Sequence, residues 1–213
     1  MVRESNNPWN CYGFYVNKHS EQLRGIPILD INYKALNTVL SDDTYPIPHK
    51  GNLLARIAGA KLFSKFDMKS RFWQVATNED DKFKTAFSVP ARHYEWNVMR
   101  FRLKHAPSKF HKVMDNIFKP YFDWLLVYID HILIFSKNVH DHFKHIQKFV
   151  QLVKTNGLVL SKKKIELFQT SIKFLGHTIK DGKITMQNML WNLLINFQIL
   201  SLTKLNYIDS WDV

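Results

Sequence analysis

Asp130 interrupts two apolar runs, Leu125-Leu126-Val127-Tyr128-Ile129 and Ile132-Leu133-Ile134-Phe135, with His131 beside it. Runs this rich in apolar and β-branched residues predict two buried strands joined by a tight turn that displays the carboxylate. A carboxylate with oily neighbours is costly unless something compensates its charge, and a cation is the simplest compensation. Asp67 is the best second acid. It ends Ala60-Lys61-Leu62-Phe63-Ser64-Lys65-Phe66-Asp67, whose imperfect alternation reads as a strand. Two strand-end aspartates from distant parts of a chain can meet at one sheet edge and bind Mg²⁺, a hard ion that prefers oxygen ligands. A pair of such ions supports in-line attack at phosphorus. The plain alternative for each aspartate is a turn cap or a surface ion pair.

These acids need elements to position them. Phe110, Val113, Met114, Ile117 and Phe118 fall on one helical face, which predicts a helix over 107–121 opened by Pro107 and closed by Pro120. A second helix is expected over 138–156, with Val139, Phe143, Ile146, Val150 and Val153 inward and Gly157 as its stop. The spacing of His140, His142 and His145 on that helix is not a clean metal-binding pair, and a solvated face is the preferred reading. A short helix over 52–60 would turn Leu53, Leu54 and Ile57 to one side. Residues up to about 37 read as extended segments with a turn near Gly25.

Composition narrows the class. Hydrophobic residues make up 46% of the 213, enough for a sizeable core, and the formal net charge of +12 favours a polyanionic partner. The same charge suits an anionic membrane surface or a ribosomal type of protein. Cys11 is the only cysteine, so neither an intrachain disulfide nor a thiolate cluster is available. The first residues lack the apolar core of a signal peptide, and no run reaches membrane-spanning length, so an intracellular protein without a membrane partner is expected.

The ordered motifs go further. Ile31-Asn32-Tyr33-Lys34-Ala35-Leu36-Asn37, Tyr45-Pro46-Ile47-Pro48, Phe63 to Ser70, Lys84-Thr85-Ala86-Phe87-Ser88 and His93-Tyr94-Glu95-Trp96 come first. Leu103-Lys104-His105-Ala106-Pro107, the Tyr128-Ile129-Asp130 turn, Leu160 to Lys164 and Phe174-Leu175-Gly176-His177 follow. Together they resemble the reverse transcriptases of caulimovirus-like pararetroviruses and gypsy-type retrotransposons. The resemblance covers about residues 8 to 187. It implies an α+β right-hand polymerase, with an antiparallel palm sheet backed by helices. Residues 1–60 and 74–107 would be fingers, 61–73 and 108–171 palm, and 172–213 a primer-grip hairpin with a truncated thumb.

The resemblance also implies roles. Asp67 and Asp130 would be the catalytic metal ligands for Mg²⁺ (Mn²⁺ as an alternative), joined by the backbone carbonyl of Met68. Phe72, Phe101, Lys18 and Arg24 would bind the incoming deoxynucleoside triphosphate. Tyr128, Lys34, Phe174, Leu175, Gly176, Lys162, Lys163 and Lys164 would contact an RNA or DNA primer–template duplex. The implied reaction is templated DNA synthesis.

Several positions depart from the family pattern. His131 replaces the second aspartate of the turn and cannot supply its negative charge. Ile28 replaces an arginine expected on the triphosphate. Arg100 and Arg102 replace proline and glycine around Phe101 and are expected to crowd the nucleotide pocket. Arg71 replaces a glycine, and His105 an asparagine. The ends read as those of a polyprotein fragment from an integrated element. An impaired enzyme, a non-catalytic nucleic-acid-binding remnant and a reading frame without a selected role all stay open.

Overall fold

The computed structural model describes residues 1–16, 28–41, 43–180 and 182–186. Lys18, Arg24 and the turn expected at Gly25 lie outside the described residues.

The central sheet is antiparallel. It has the order β7-β8-β4-β9, from β4 (Leu62–Asp67), β7 (Leu125–Tyr128), β8 (His131–Ser136) and β9 (Glu166–Gln169). Strand alternation sends Phe66, Leu125, Val127, Ile132 and Ile134 to one face and Phe63, Leu126, Leu133 and Phe135 to the other. Both faces are covered, which explains why 125–136 reads as near-continuous apolar sequence.

Two helices cover the first face. In α4 (Ala106–Phe118), Phe110, Met114 and Phe118 are fully buried, with Val113 and Ile117 at the margin. Pro107 occupies the first turn, where its missing N–H costs nothing. The second helix is α5 (Val139–Thr155), capped by the Asn138 side chain on the Asp141 N–H at 2.8 Å. Its inward residues differ from the expected stripe. Val139, Phe143 and Val150 are exposed, whereas His142, Phe149 and Val153 are buried. Ser64 and Ser136 point from the sheet into this layer, and His142 rotates inward to bond both.

The second face is covered by Leu53, Leu54 and Ile57, which follow from α2 (Lys50–Ala55), and by Ile172, Phe174 and Ile179. The last three belong to a separate antiparallel sheet of β10 (Ser171–Phe174), β11 (His177–Lys180) and β12 (Lys183–Met186). A five-stranded sheet has the order β1-β6-β5-β2-β3, from β1 (Val2–Glu4), β2 (Cys11–Val16), β3 (Ile28–Ile31), β5 (Phe87–Val89) and β6 (Arg92–Trp96). With α1 (Lys34–Val39) it encloses a small core of Ile31, Tyr33, Leu36, Phe87 and Trp96. Helix α3 (Glu79–Lys82) carries three acidic residues in its only turn. Among the described residues no helix is long and apolar enough to cross a membrane.

Candidate active site

The register of β4 against β8 pairs Asp67 directly with His131. Tyr128 pairs with His131 across the β7–β8 hairpin, leaving Ile129 and Asp130 as a two-residue turn. Ile129 holds φ 55, a left-handed conformation that is costly for a β-branched side chain. The turn is fastened to β4 by the Met68 N–H, which donates to the Asp130 carbonyl at 3.1 Å. Sixty-odd residues of sequence separation thus collapse into one strand end.

Both carboxylates are almost wholly buried, Asp67 at 5% and Asp130 at 3% exposure, and each is charge-compensated. Asp67 Oδ1 lies 2.9 Å from His131 Nδ1, and Asp67 Oδ2 lies 3.0 Å from Lys164 Nζ. Asp130 Oδ2 lies 2.6 Å from Arg71 Nε, and its Oδ1 is 3.8 Å from His131 Nε2. Burial pushes the Asp67 carboxyl up, but the hydrogen bonds from His131 and Lys164 outweigh it and hold it below the ordinary carboxylate range.

Two cavities open beside this cluster. One, of about 510 Å³, is lined by Asp67, His131, Lys65, Lys163, Lys164 and Lys173, with Glu166 and the Phe174-Leu175-Gly176 corner. Leu175 at φ 49 and Gly176 at φ 84 make the two-residue β10–β11 turn, where two successive left-handed residues match the twist of a hairpin. The other, of about 520 Å³, is walled by Met68, Lys69, Ser70, Arg71, Phe72, Trp73, Phe101, Ser161 and Lys164. Phe72 is braced edge-on against Phe110 of α4 at 5.5 Å.

The remaining expected residues scatter. Lys162 shares a 3-10 turn with Lys163 and Lys164. Tyr128 packs on the second face of the central sheet, with the Lys50 ammonium 5.8 Å above its ring. Lys34 and Arg102 line a third cavity with Phe14, Tyr33 and Lys104. Ile28 begins β3, paired with Val16.

Three expectations need correction. Arg102 does not line the Phe72–Phe101 cavity; it adopts φ 70 and pairs with the buried Asp30 at 2.5 Å. Arg100 does not crowd that cavity either. It is buried at 2% exposure among aromatic rings, its guanidinium 3.9 Å from Trp96, 4.1 Å from Phe101 and 5.4 Å from Trp73. His142 is not on a solvated face, because the serines of the sheet recruit it. The sequence reading also missed Arg71 as the partner of Asp130, and Lys65, Lys173 and Trp73 as cavity walls. Alternation along β4 signals Lys65, which lies two residues from Asp67 on the same face; nothing local signals the other three.

This fold and strand-end cluster define a polymerase palm, and the chain belongs to the reverse transcriptase (RNA-dependent DNA polymerase) family, whose model matches residues 16–179. It is 50% identical over 182 residues to the genome polyprotein of Petunia vein clearing virus (isolate Shepherd), covering 85% of this chain and 8% of that protein. It is 43% identical over 182 residues to the enzymatic polyprotein of Cauliflower mosaic virus (strain Strasbourg), covering 85% of this chain and 27% of that one. The chain therefore spans well under a third of these relatives. Its fold matches the foamy viral protease-reverse transcriptase dRH in complex with double-stranded DNA, with TM-score 0.80 and 20% identity, covering 92% of this chain and 34% of that one. The same viral protein in complex with RNA/DNA hybrid gives TM-score 0.79, also at 20% identity, covering 92% of this chain and 26% of that one.

Proposed function

We propose that this chain is the fingers-and-palm part of a reverse transcriptase that grips a primer–template duplex and is strongly impaired in nucleotidyl transfer. The fingers would be residues 1–60 and 74–107, the palm 61–73 and 108–171, and the primer-grip end 172–213. The observation that carries this reading is the convergence of Asp67 and Asp130 on one histidine between a lysine-lined cavity and an aromatic one. Lys163, Lys164 and Lys173 supply charge for the phosphates of an RNA or DNA duplex. Phe72 and Phe101 offer ring faces where a deoxynucleoside triphosphate would lie.

Mg²⁺, or Mn²⁺, is the ion the family resemblance implies for such chemistry. The residues present do not fit a pair of these ions. Hard divalent cations want several free oxygens, and both carboxylates here already engage side-chain cations. Among the described residues no group of three or more His, Cys, Asp or Glu could hold a metal. What the chain's own residues can do is bind and orient: lysines draw phosphate to the strand end, and the β10–β11 corner fixes one wall of the groove.

Primer extension on an RNA template, run with Mg²⁺ and with Mn²⁺, tests the reading alongside duplex binding by fluorescence anisotropy. The native chain is expected to bind the duplex with steep salt dependence and to extend it barely. His131→Asp, combined with Arg71→Gly, is expected to raise extension. Rapid native extension would overturn the impaired-enzyme reading, and absence of duplex binding would overturn the grip.

A further inference from the structure

We propose that Arg71 and Lys164 are built-in counterions of the Asp67–Asp130 centre, so that nucleic-acid phosphate meets it as a metal-free site of side-chain cations. The proposal rests on the preceding reading only in taking a duplex as the ligand. All four carboxylate oxygens of the centre have a nitrogen within 4 Å: Lys164 Nζ at 3.0 Å and His131 Nδ1 at 2.9 Å for Asp67, Arg71 Nε at 2.6 Å and His131 Nε2 at 3.8 Å for Asp130. One ammonium and one guanidinium balance two carboxylates before His131 is counted. A divalent ion placed there would have to expel both cations. It would also add charge beside Lys163 and Lys173, and beside Lys65, which already pairs with Glu166.

The two cations are delivered by segments fastened to the end of β4. Ser70 and Arg71 hold φ 56 and φ 34, two successive left-handed residues that glycine would occupy without strain. The backbone cost therefore falls on the residue whose guanidinium reaches Asp130. On the other side, the Ser161 N–H donates to the Asp67 carbonyl at 2.8 Å and the Lys164 N–H to the Ser161 carbonyl at 2.9 Å. The carboxylates are sealed from water, yet the side chains of Arg71 and Lys164 are 49% and 58% exposed. Their outward N–H groups stay available to a phosphodiester, and each lines a cavity through which a strand could pass.

The test is Mn²⁺ uptake by the full chain, read as loss of the free-ion paramagnetic resonance signal, with duplex binding measured in EDTA and in Mn²⁺. The native chain is expected to take up no Mn²⁺ at millimolar concentration and to bind duplex equally in both media. Arg71→Gly with His131→Asp is expected to raise Mn²⁺ affinity about tenfold to hundredfold, the scale on which groups around a metal tune it. Lys164→Gln, a change at a half-exposed side chain, should shift affinity in the same direction. Stoichiometric Mn²⁺ uptake by the native chain overturns the proposal, as does duplex binding that vanishes in EDTA. Folded variants that still take up no Mn²⁺ remove Arg71 and Lys164 as the barrier. A native chain that binds neither Mn²⁺ nor duplex supports the counterions but overturns the phosphate-binding half of the proposal together with the duplex-gripping function.

Discussion

At the scale of single residues, the centre illustrates how burial and pairing set the worth of a charge. An ion pair with an exposed cation contributes about 0–1 kcal/mol, but a carboxylate left alone in the interior costs several times that. Lys164→Met leaves Asp67 with His131 as its remaining partner and is expected to cost about 1–2 kcal/mol, measured as a fall in the urea midpoint. Arg71→Gly adds a backbone effect. It gives up the contact to Asp130 but releases left-handed strain of about 1 kcal/mol. Asp130 then keeps only His131, 3.8 Å away, so a net loss of about 1–2 kcal/mol is expected by the same measurement. A larger loss would mean that the released strain offsets little of the Arg71 pair.

At the scale of elements, α5 is locked to the sheet by a polar chain inside an apolar layer. The Phe168 N–H donates to Ser64 Oγ at 3.0 Å. Ser64 Oγ is 2.8 Å from His142 Nε2, His142 Nδ1 is 2.9 Å from Ser136 Oγ, and Ser136 Oγ is 2.8 Å from His145 Nδ1. His145 in turn stacks on Trp124 at 4.5 Å. Burial, with a smaller contribution from His145, pushes His142 down to about 4. The unfolded chain titrates near the ordinary histidine value of about 6.5, so it binds more protons than the folded chain between these values. The stabilisation is therefore complete above the unfolded pKa and is lost as pH falls through that window, up to about 3 kcal/mol. Melting temperature should drop on acidification between pH 6.5 and 4, and His142→Gln should flatten that slope. Asp67, held low by its partners, adds a separate loss below the ordinary carboxylate pKa of 3.8. The two contributions therefore separate along the pH axis. The face of α5 has its own test. Phe149→Ala is expected to cost about 3–5 kcal/mol, and Phe143→Ser no more than about 0.5 kcal/mol, read from denaturant unfolding.

At the scale of the whole molecule, the chain carries a net charge of +12 over 213 residues, and four lysines line the cavity beside Asp67 together with Glu166. Binding of a duplex should therefore weaken steeply with salt. Replacing Lys163 or Lys173 by glutamine should lower the slope of log affinity against log salt by about one each, with anisotropy titrations over a range of NaCl as the measurement. Unchanged slopes would place the duplex elsewhere on the surface.

The sequence alone determined the α+β polymerase class, the two-strand hairpin with Asp130 in its turn, though not the burial of that carboxylate, and the inward face of α4. Each rests on local information: runs of apolar residues, a 3.6-residue period, or motifs contiguous in the chain. It also named Asp67 and Asp130 together, because family order ties distant motifs to one site. The tertiary structure decided what local patterns cannot carry. Helix α5 has more apolar residues than its buried face can use. Two serines on neighbouring strands chose His142 over Val139 and Phe143, and no periodicity in the helix records that choice. Likewise Arg100 and Arg102 follow one another closely in sequence, yet one enters an aromatic core and the other reaches Asp30. The fate of a long cationic side chain depends on which acid or ring the fold brings within reach. Arg71 on Asp130 and Lys164 on Asp67 are of this kind: contacts across 59 and 97 residues that exist only once β4, the turn and the lysine-bearing loop are packed together.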